Sequence, residues 1–307
     1  MTKVLVATQK PFAPKAVEEI KAVFDEAGYS CSFFEKYESQ DDLLSSVGDA
    51  EALIVRSDNI TPEVIQAAPN LKIVVRAGAG YDNVDLKSAS EKDVVVMNTP
   101  GQNSNAVAEL ALGLMVFQAR NQFNGTSGSE LYGKKLGIHA YGNVGKHVAR
   151  IAKGFGMEVF AFDPFIPEEL MVNDGVVVCQ SAEEMYSICD YISLHIPANE
   201  QTKESINYEL LSKLNGAGTL VNTARKEVIN EDDLKKILED FDGFKYLSDI
   251  APGNAEELKK SFPGRVFFTP KKMGAQTAEA NINAGIAAAN QIIAFIEKGD
   301  TTFQVNK

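Results

Sequence analysis

Tryptophan is absent from this 307-residue chain, and cysteine is scarce, with only Cys31, Cys179 and Cys189. No two of them form a C-x-x-C spacing. Neither a disulfide framework nor a zinc site is therefore expected, and a reducing, cytoplasmic setting follows. No metal is assigned. Long apolar runs are also missing: nothing approaches the roughly 20 residues that a bilayer-spanning helix needs. The opening MTKVLVATQK leads straight into a strand pattern, without the layout of a signal peptide. Positive charge is outnumbered, 30 Lys and Arg against 42 Asp and Glu, a net −12. That balance argues against nucleic acid or an anionic membrane as the main partner. A small anionic substrate would have to be held by a few placed cations. There is no internal repeat and no low-complexity tract. What is present, 45% hydrophobic and 23% charged residues, fits a globular chain long enough for two cores.

The chain is organised around LGIHAYGNVGKHVARIAKGFGMEVFAFDPF, Leu136 to Phe165. A short apolar run turns at Ala140-Tyr141-Gly142-Asn143-Val144-Gly145 into an amphipathic helix with Val144, Val148, Ile151 and Ala152 on one face. A second apolar run, Val159 to Phe162, ends at Asp163 and Pro164. Strand, glycine turn, helix, strand and acid make the dinucleotide-binding fingerprint. Gly142 lets backbone approach a pyrophosphate, Gly145 lets helix and strand pack closely, and the helix N-terminus offers unpaired N–H groups to the phosphates. Asp163 is placed to accept from ribose hydroxyls and to repel a 2′-phosphate, which favours NAD over NADP. One departure stands out: the first glycine position is Ala140. His139 and His147, inside this unit, are read as structural.

Before this stretch, strand and helix patterns alternate. Strands are expected at Lys3–Ala7, Ser32–Phe34, Ala52–Val55, Leu71–Val75 and Val94–Met97, with helices at Pro14–Ala27, Asp41–Val47, after Thr61-Pro62 and at Leu86–Glu91. A long apolar helix, Asn105 to Arg120, reads as a crossover, and residues 121–130 as a polar linker. Further strands fall near Val176–Val178, Tyr191–Leu194, Thr219–Val221, Tyr246–Leu247 and Val266–Phe268. A last helix, Thr277 to Lys298, returns to the first domain. The expectation is α/β: two doubly wound parallel-sheet domains, Rossmann-like and flavodoxin-like, with a cleft between them. The domains are taken as 1–99 plus 284–307, binding substrate, and 100–283, binding NAD.

Several motifs in order then carry a resemblance: LIVRSDNIT (Leu53–Thr61), VRAGAGYDNVD (Val75–Asp85), NTPGQNSNAVAELALGLM (Asn98–Met115), SLHIP (Ser193–Pro197), VNTARKEVINEDDL (Val221–Leu234) and SDI (Ser248–Ile250). Over nearly its whole length the chain resembles the D-isomer-specific 2-hydroxyacid dehydrogenases, in particular those acting on 3-phosphoglycerate. The resemblance implies that Arg225 clamps the substrate's carboxylate and carbonyl oxygen, a role suited to a permanent, forked donor facing developing negative charge. It implies that Gly78, Ala79 and Gly80 present N–H groups to the carboxylate, that Arg56 and Ser57 bind a phosphate, and that Asn103 bonds the substrate. His195, Pro197, Thr202, Thr223, Ala224, Asp249 and Gly274 would line the coenzyme, with Asp249 near the nicotinamide.

The chain departs from the family where its acid/base histidine should be. The family's T-P-H-x-G-A is replaced by Thr269-Pro270-Lys271-Lys272-Met273-Gly274-Ala275. Aligning from Pro270 selects Lys271 and aligning from Gly274 selects Lys272; the helix-start signature favours Lys272, and both stay open. The glutamate that pairs with that histidine is replaced by Asn254. The exchanges agree with each other, since a histidine needs a carboxylate to raise its pKa and a lysine is already charged. Between Arg120 and Leu136 the family's longer, tryptophan-containing inter-subunit arm is replaced by the short linker, although a homodimer through the crossover helices is still expected. No C-terminal regulatory domain is expected beyond Lys307. The implied activity is NAD-dependent oxidation of 3-phospho-D-glycerate to 3-phosphohydroxypyruvate, which opens L-serine biosynthesis. The alternatives are a hydroxypyruvate or glyoxylate reductase, and a non-catalytic NADH-sensing regulator on the same fold.

Overall fold

The computed structural model describes residues 2–214 and 216–307. The chain divides into two compact units, the first running to Asn103 and resuming at Gln276, the second spanning Ser104–Ala275. The first unit opens with β1 (Lys3–Thr8), α1 (Pro14–Glu26), β2 (Ser30–Glu35) and α2 (Gln40–Ser46). It continues through β3 (Ala52–Val55), α3 (Pro62–Ala67), β4 (Ile73–Arg76), α4 (Leu86–Glu91) and β5 (Val95–Asn98). Local chemistry sets these starts. Proline occupies the first turns of α1 and α3, where its missing N–H is not needed. Ser39 and Asp42 close a capping box on α2.

All five strands pair in parallel, in the order β2-β1-β3-β4-β5. Every residue of β3 is fully buried, as expected of a central parallel strand covered on both faces. The strand expected from Leu71 begins at Ile73 instead, because Leu71 still closes a turn through its N–H to Ala68 O.

The second unit opens with α5 (Ser104–Ala119), then β6 (Lys135–His139), α6 (Asn143–Gly154) and β7 (Glu158–Phe162). After these come α7 (Glu168–Asn173), β8 (Val177–Val178), α8 (Ala182–Ile188), β9 (Tyr191–Leu194), α9 (Tyr208–Leu211) and β10 (Thr219–Asn222). It closes with α10 (Glu231–Asp240), β11 (Lys245–Ser248), α11 (Ala255–Ser261) and β12 (Val266–Phe268). The seven strands are again parallel, in the order β12-β11-β10-β9-β6-β7-β8. Both sheets are therefore doubly wound. Strand order reverses between β1 and β3 in one and between β6 and β9 in the other, the places where such sheets bind ligands.

The last helix, α12 (Ala278–Lys298), belongs to the first unit. Thr277 caps its start and left-handed Gly299 ends it. Its Ala284, Ala288, Ala289 and Ile292 are buried in one cluster with Ile20 and Phe24 of α1. A Cβ on Gly285 would lie 2.5 Å from Ile20 Cδ1, so the glycine is what permits this close approach. The unit boundary falls at Asn103 and Gln276, whereas 99 and 284 were expected. Thr99 N–H still bonds Gly78 O, α12 joins the first unit's core at Ala284, and Ala280 one turn earlier is buried as well.

Residues 121–130 are more ordered than a flexible linker. Asn121, Gln122 and Phe123 take φ angles of 51°, 56° and 58°, and the Phe123 ring packs edge-on 5.3 Å from Phe117. Ser129 N–H returns to Ala119 O at 2.7 Å.

Candidate functional site

The turn after β6 has the geometry of a nucleotide-binding loop. Gly142 is the N-cap of α6, and a Cβ there would meet nothing within 4 Å, so its surroundings are open. No acidic residue lies in the first turn, leaving the N–H groups of Asn143, Val144 and Gly145 at a positive helix end. At Gly145 a Cβ would sit 2.5 Å from Ala140 O and 3.1 Å from Ile138 Cγ2, so only glycine lets α6 approach β6 this closely. Ala140 holds φ +79°, the left-handed region that a glycine occupies without strain. Tyr141 N–H donates to Asp163 Oδ2 at 2.7 Å, and Phe165 N–H to Oδ1 at 2.9 Å. The half-buried Asp163 is thus fixed by main chain, and each oxygen keeps a lone pair for a ribose hydroxyl. Exposed Pro164 follows it.

Across the switch point, His195 Nε2 lies 2.9 Å from Ser193 Oγ and its N–H bonds His139 O at 2.9 Å. Burial pushes the His195 imidazole down to about 3 and that of His139 to about 4, so both are neutral at pH 7. His139 contacts the buried Tyr186 hydroxyl at 3.2 Å, the structural role expected of it. Thr202 Oγ1 donates to Pro197 O at 2.6 Å and shapes the loop after β9.

The ends of β10, β11 and β12 bring together a second group. Ala224 O accepts from Arg225 Nη1 at 3.0 Å and lies 3.5 Å from Lys272 Nζ. Arg225 itself precedes the turn at Lys226–Val228 without a side-chain cap, and Asn222 Nδ2 donates to its carbonyl at 2.9 Å. Asp249 is fully buried, and its Oδ2 accepts from Gly274 N–H at 2.7 Å and Met273 N–H at 3.2 Å. Burial raises its pKa, opposed by the Gly274 N–H, Lys272, the Met273 N–H and Arg225. Lys271 enters this network only through its carbonyl, which accepts from Thr269 Oγ1 at 2.7 Å. Asn254 precedes α11 and does not cap it; its Nδ2 points to Glu231 O at 3.5 Å.

Four buried polar atoms of this unit lack a hydrogen-bond partner among the described residues: His195 Nδ1, Thr223 Oγ1, Asp249 Oδ1 and Asn254 Oδ1. Unsatisfied groups of this kind cost about 1–3 kcal/mol each unless a ligand engages them. Asp249 Oδ1 is an acceptor suited to a carboxamide N–H donor. With the open Gly142 and the α6 N-terminus, these residues fit a nicotinamide dinucleotide.

In the first unit, the β1/β3 switch point holds Arg56 and Ser57. Arg56 Nη1 donates to Lys10 O at 3.0 Å and Pro11 O at 3.2 Å, Nη2 donates to Asn281 Oδ1, and the guanidinium lies 5.1 Å from the Phe12 ring centroid. Exposed Ser57 precedes buried Asp58, which accepts from Arg56 N–H at 3.0 Å, Gln9 N–H at 2.7 Å and Tyr37 Oη at 2.7 Å. The N–H groups of Ala79 and Gly80 meet no acceptor among the described residues. Gly78 has φ +150°, and a Cβ there would overlap the Arg76 guanidinium. Asn103 lies in the turn just before α5.

Sequence reasoning missed Arg76, whose Nε donates to Arg56 O at 3.0 Å. The available signal was its place beside the glycines, in register with Val55 on the neighbouring strand. Asn281 and Asp58 were missed too; no local pattern links Asn281 to Arg56, since they meet only through tertiary folding.

Two consequences are measurable. Ala140→Gly should stabilise the protein by about 1 kcal/mol, the strain of one left-handed alanine less glycine's extra chain entropy, read as a rise in the thermal midpoint. An unchanged or lower midpoint would show that the turn is not strained. His139 and His195 have folded pKa values below the unfolded 6.5, so their neutral forms stabilise the fold above pH 6.5. The urea midpoint should therefore fall as pH drops from 7 toward 4, and His139→Gln should flatten that slope.

The comparisons agree with this geometry. The family profile described as "D-isomer specific 2-hydroxyacid dehydrogenase, catalytic domain" matches residues 4–306. A hydroxypyruvate reductase of Thermotoga maritima is 37% identical over 273 residues, 82% of this chain and 87% of that protein. A D-3-phosphoglycerate dehydrogenase of Methanocaldococcus jannaschii is 36% identical over 83% of this chain, which spans about half (51%) of its length. Among solved structures, an NAD+-bound 3-phosphoglycerate dehydrogenase from Entamoeba histolytica superposes with a TM-score of 0.90 at 45% identity, covering 100% of this chain and 99% of that one. The chain belongs to the D-isomer-specific 2-hydroxyacid dehydrogenases.

Proposed function

We propose that the protein is an NAD-dependent dehydrogenase that oxidises 3-phospho-D-glycerate to 3-phosphohydroxypyruvate, with Lys272 as its acid/base. The observation that carries this reading is the grouping of Arg225, Lys272 and buried Asp249 at the carboxyl ends of β10–β12, in the sheet that also bears the nucleotide loop. The coenzyme, when bound, accepts the hydride that leaves C2. Arg225 holds the substrate's carboxylate and the C2 oxygen as that oxygen becomes a carbonyl. Neutral Lys272 takes the proton from the C2 hydroxyl and becomes an ammonium; in reduction the ammonium returns it. Ala79 and Gly80 offer N–H groups to the carboxylate, whereas the Gly78 N–H expected to join them is taken by Arg76 O at 2.8 Å; Asn103 adds a hydrogen bond. Arg56 and Ser57 bind the phosphate, with Arg76 as a further cation.

One observation favours a second reading. The Arg56 guanidinium is already engaged by Lys10 O, Pro11 O and Asn281, which suits a substrate without a phosphate, such as hydroxypyruvate. The reading also includes a homodimer through α5, whose Asn105, Glu109 and Gly113 are exposed. Sedimentation should then report twice the 33.3 kDa chain mass, and a monomer at micromolar concentration would rule this out.

The decisive assay follows NADH absorbance with NAD and 3-phosphoglycerate between pH 7 and 10. Activity should rise with pH, because the base must be a neutral lysine. Lys272→Ala should lower kcat about 10²- to 10⁴-fold while Lys271→Ala retains it. Loss in Lys271→Ala alone would reverse the assignment. Turnover of hydroxypyruvate but not of the phosphorylated substrate would select the reductase reading.

A further inference from the structure

Lys272 lies in a loop that Asp249 fastens on both sides. On the far side, Asp249 Oδ2 accepts from Met273 N–H at 3.2 Å and Gly274 N–H at 2.7 Å. On the near side, Thr269 Oγ1 lies 3.2 Å from the Asp249 carbonyl and 2.7 Å from the Lys271 carbonyl, so one hydroxyl joins strand end and loop. Gly274 permits the closure: a Cβ there would sit 3.0 Å from Asp249 Oδ2 and 3.3 Å from Val107 Cγ2 on α5. Position 254 is an amide, and Glu231 accepts Gly253 N–H with both oxygens at 2.9 Å.

We propose that Asp249 is the carboxylate partner of Lys272, holding the lysine in position through its loop and setting the pH at which it gives up its proton. This rests on the reading of Lys272 as acid/base. The charged groups around the loop are Asp249, Arg225 and Lys271, with the Tyr246 phenol beneath and uncharged Val107 from α5. Arg225 favours a neutral lysine, and Asp249 favours the ammonium. Because Asp249 is wholly buried, its field is weakly screened. The effect is reciprocal: Lys272 is the stronger of the two cations that hold down an aspartate raised by burial. An aspartate at the end of β11 thereby does for a lysine what a carboxylate at position 254 would do for a histidine.

The test uses the whole protein without coenzyme or substrate. Lys272 reactivity toward acetic anhydride is measured against pH by mass spectrometry. Asp249→Asn keeps an acceptor for the Gly274 N–H but removes the charge. It should lower the Lys272 midpoint by about one pH unit, leave Lys271 in place, and have no counterpart in Glu231→Gln. As a reciprocal measurement, the ¹³C-labelled Asp249 carboxyl should titrate higher in Lys272→Met than in the parent protein. That arm decides the matter even if Asp249→Asn fails to fold. An unchanged Lys272 midpoint, an equal shift in Glu231→Gln, or an unshifted Asp249 would overturn the pairing. Full activity in Lys272→Ala would instead remove the acid/base reading while leaving the pairing intact, so the two failures are distinguishable.

Discussion

Parallel pairing is the constraint from which the rest follows. A parallel strand can be joined to the next only by a crossover, so helices cover both faces and all carboxyl ends point to one edge. In the second unit that edge collects the loop after β6, the loop after β9 and the Arg225, Asp249 and Lys272 group after β10, β11 and β12. In the first unit it collects Arg56, Ser57, Arg76 and the Gly78–Gly80 turn after β3 and β4.

Positioning at that edge relies on hydrogen bonds from main chain to buried or half-buried carboxylates. Asp58, Asp163 and Asp249 each accept at least two bonds from main-chain N–H groups or a tyrosine hydroxyl. A carboxylate is suited to this because it accepts from several donors at once, and its bonds to N–H groups are stronger than neutral ones. Each such residue joins loops that are distant in sequence: Asp58 links Gln9 and Tyr37 to Arg56, and Asp249 links the end of β11 to the lysine loop.

Much of this architecture was legible in the amino-acid order. The strand and helix patterns of both units, the fingerprint from Leu136 to Asp163 and the capping of α12 by Thr277 are local features whose causes lie within a few residues of their effects. Limits of the reading fall where causes are remote. The first residues of α12 belong to the first unit because Ala284 and its neighbours find their apolar partners on α1. The run at 121–130 read as a polar linker from its Gly and Ser content, and the Phe123 ring on Phe117 and the Ser129–Ala119 bond fold it back. Arg56 was expected to bind a phosphate, and in the fold Asn281 and the Lys10 and Pro11 carbonyls surround its guanidinium.

The two lysines show the division most clearly. By itself the sequence determined that two lysines follow Thr269-Pro270, that position 254 is an amide, and that a coenzyme fold surrounds them. These are statements about which residue types stand in which order, and spacing along the chain suffices for them. Lys271 and Lys272 are adjacent and chemically identical, so no pattern could separate them. Tertiary structure gives them different surroundings: the Met273 and Gly274 N–H groups donate to Asp249, and Lys272 Nζ comes within 3.5 Å of Ala224 O. Direction in space depends on contacts between segments far apart in the chain, and those exist only once the second unit's sheet has formed.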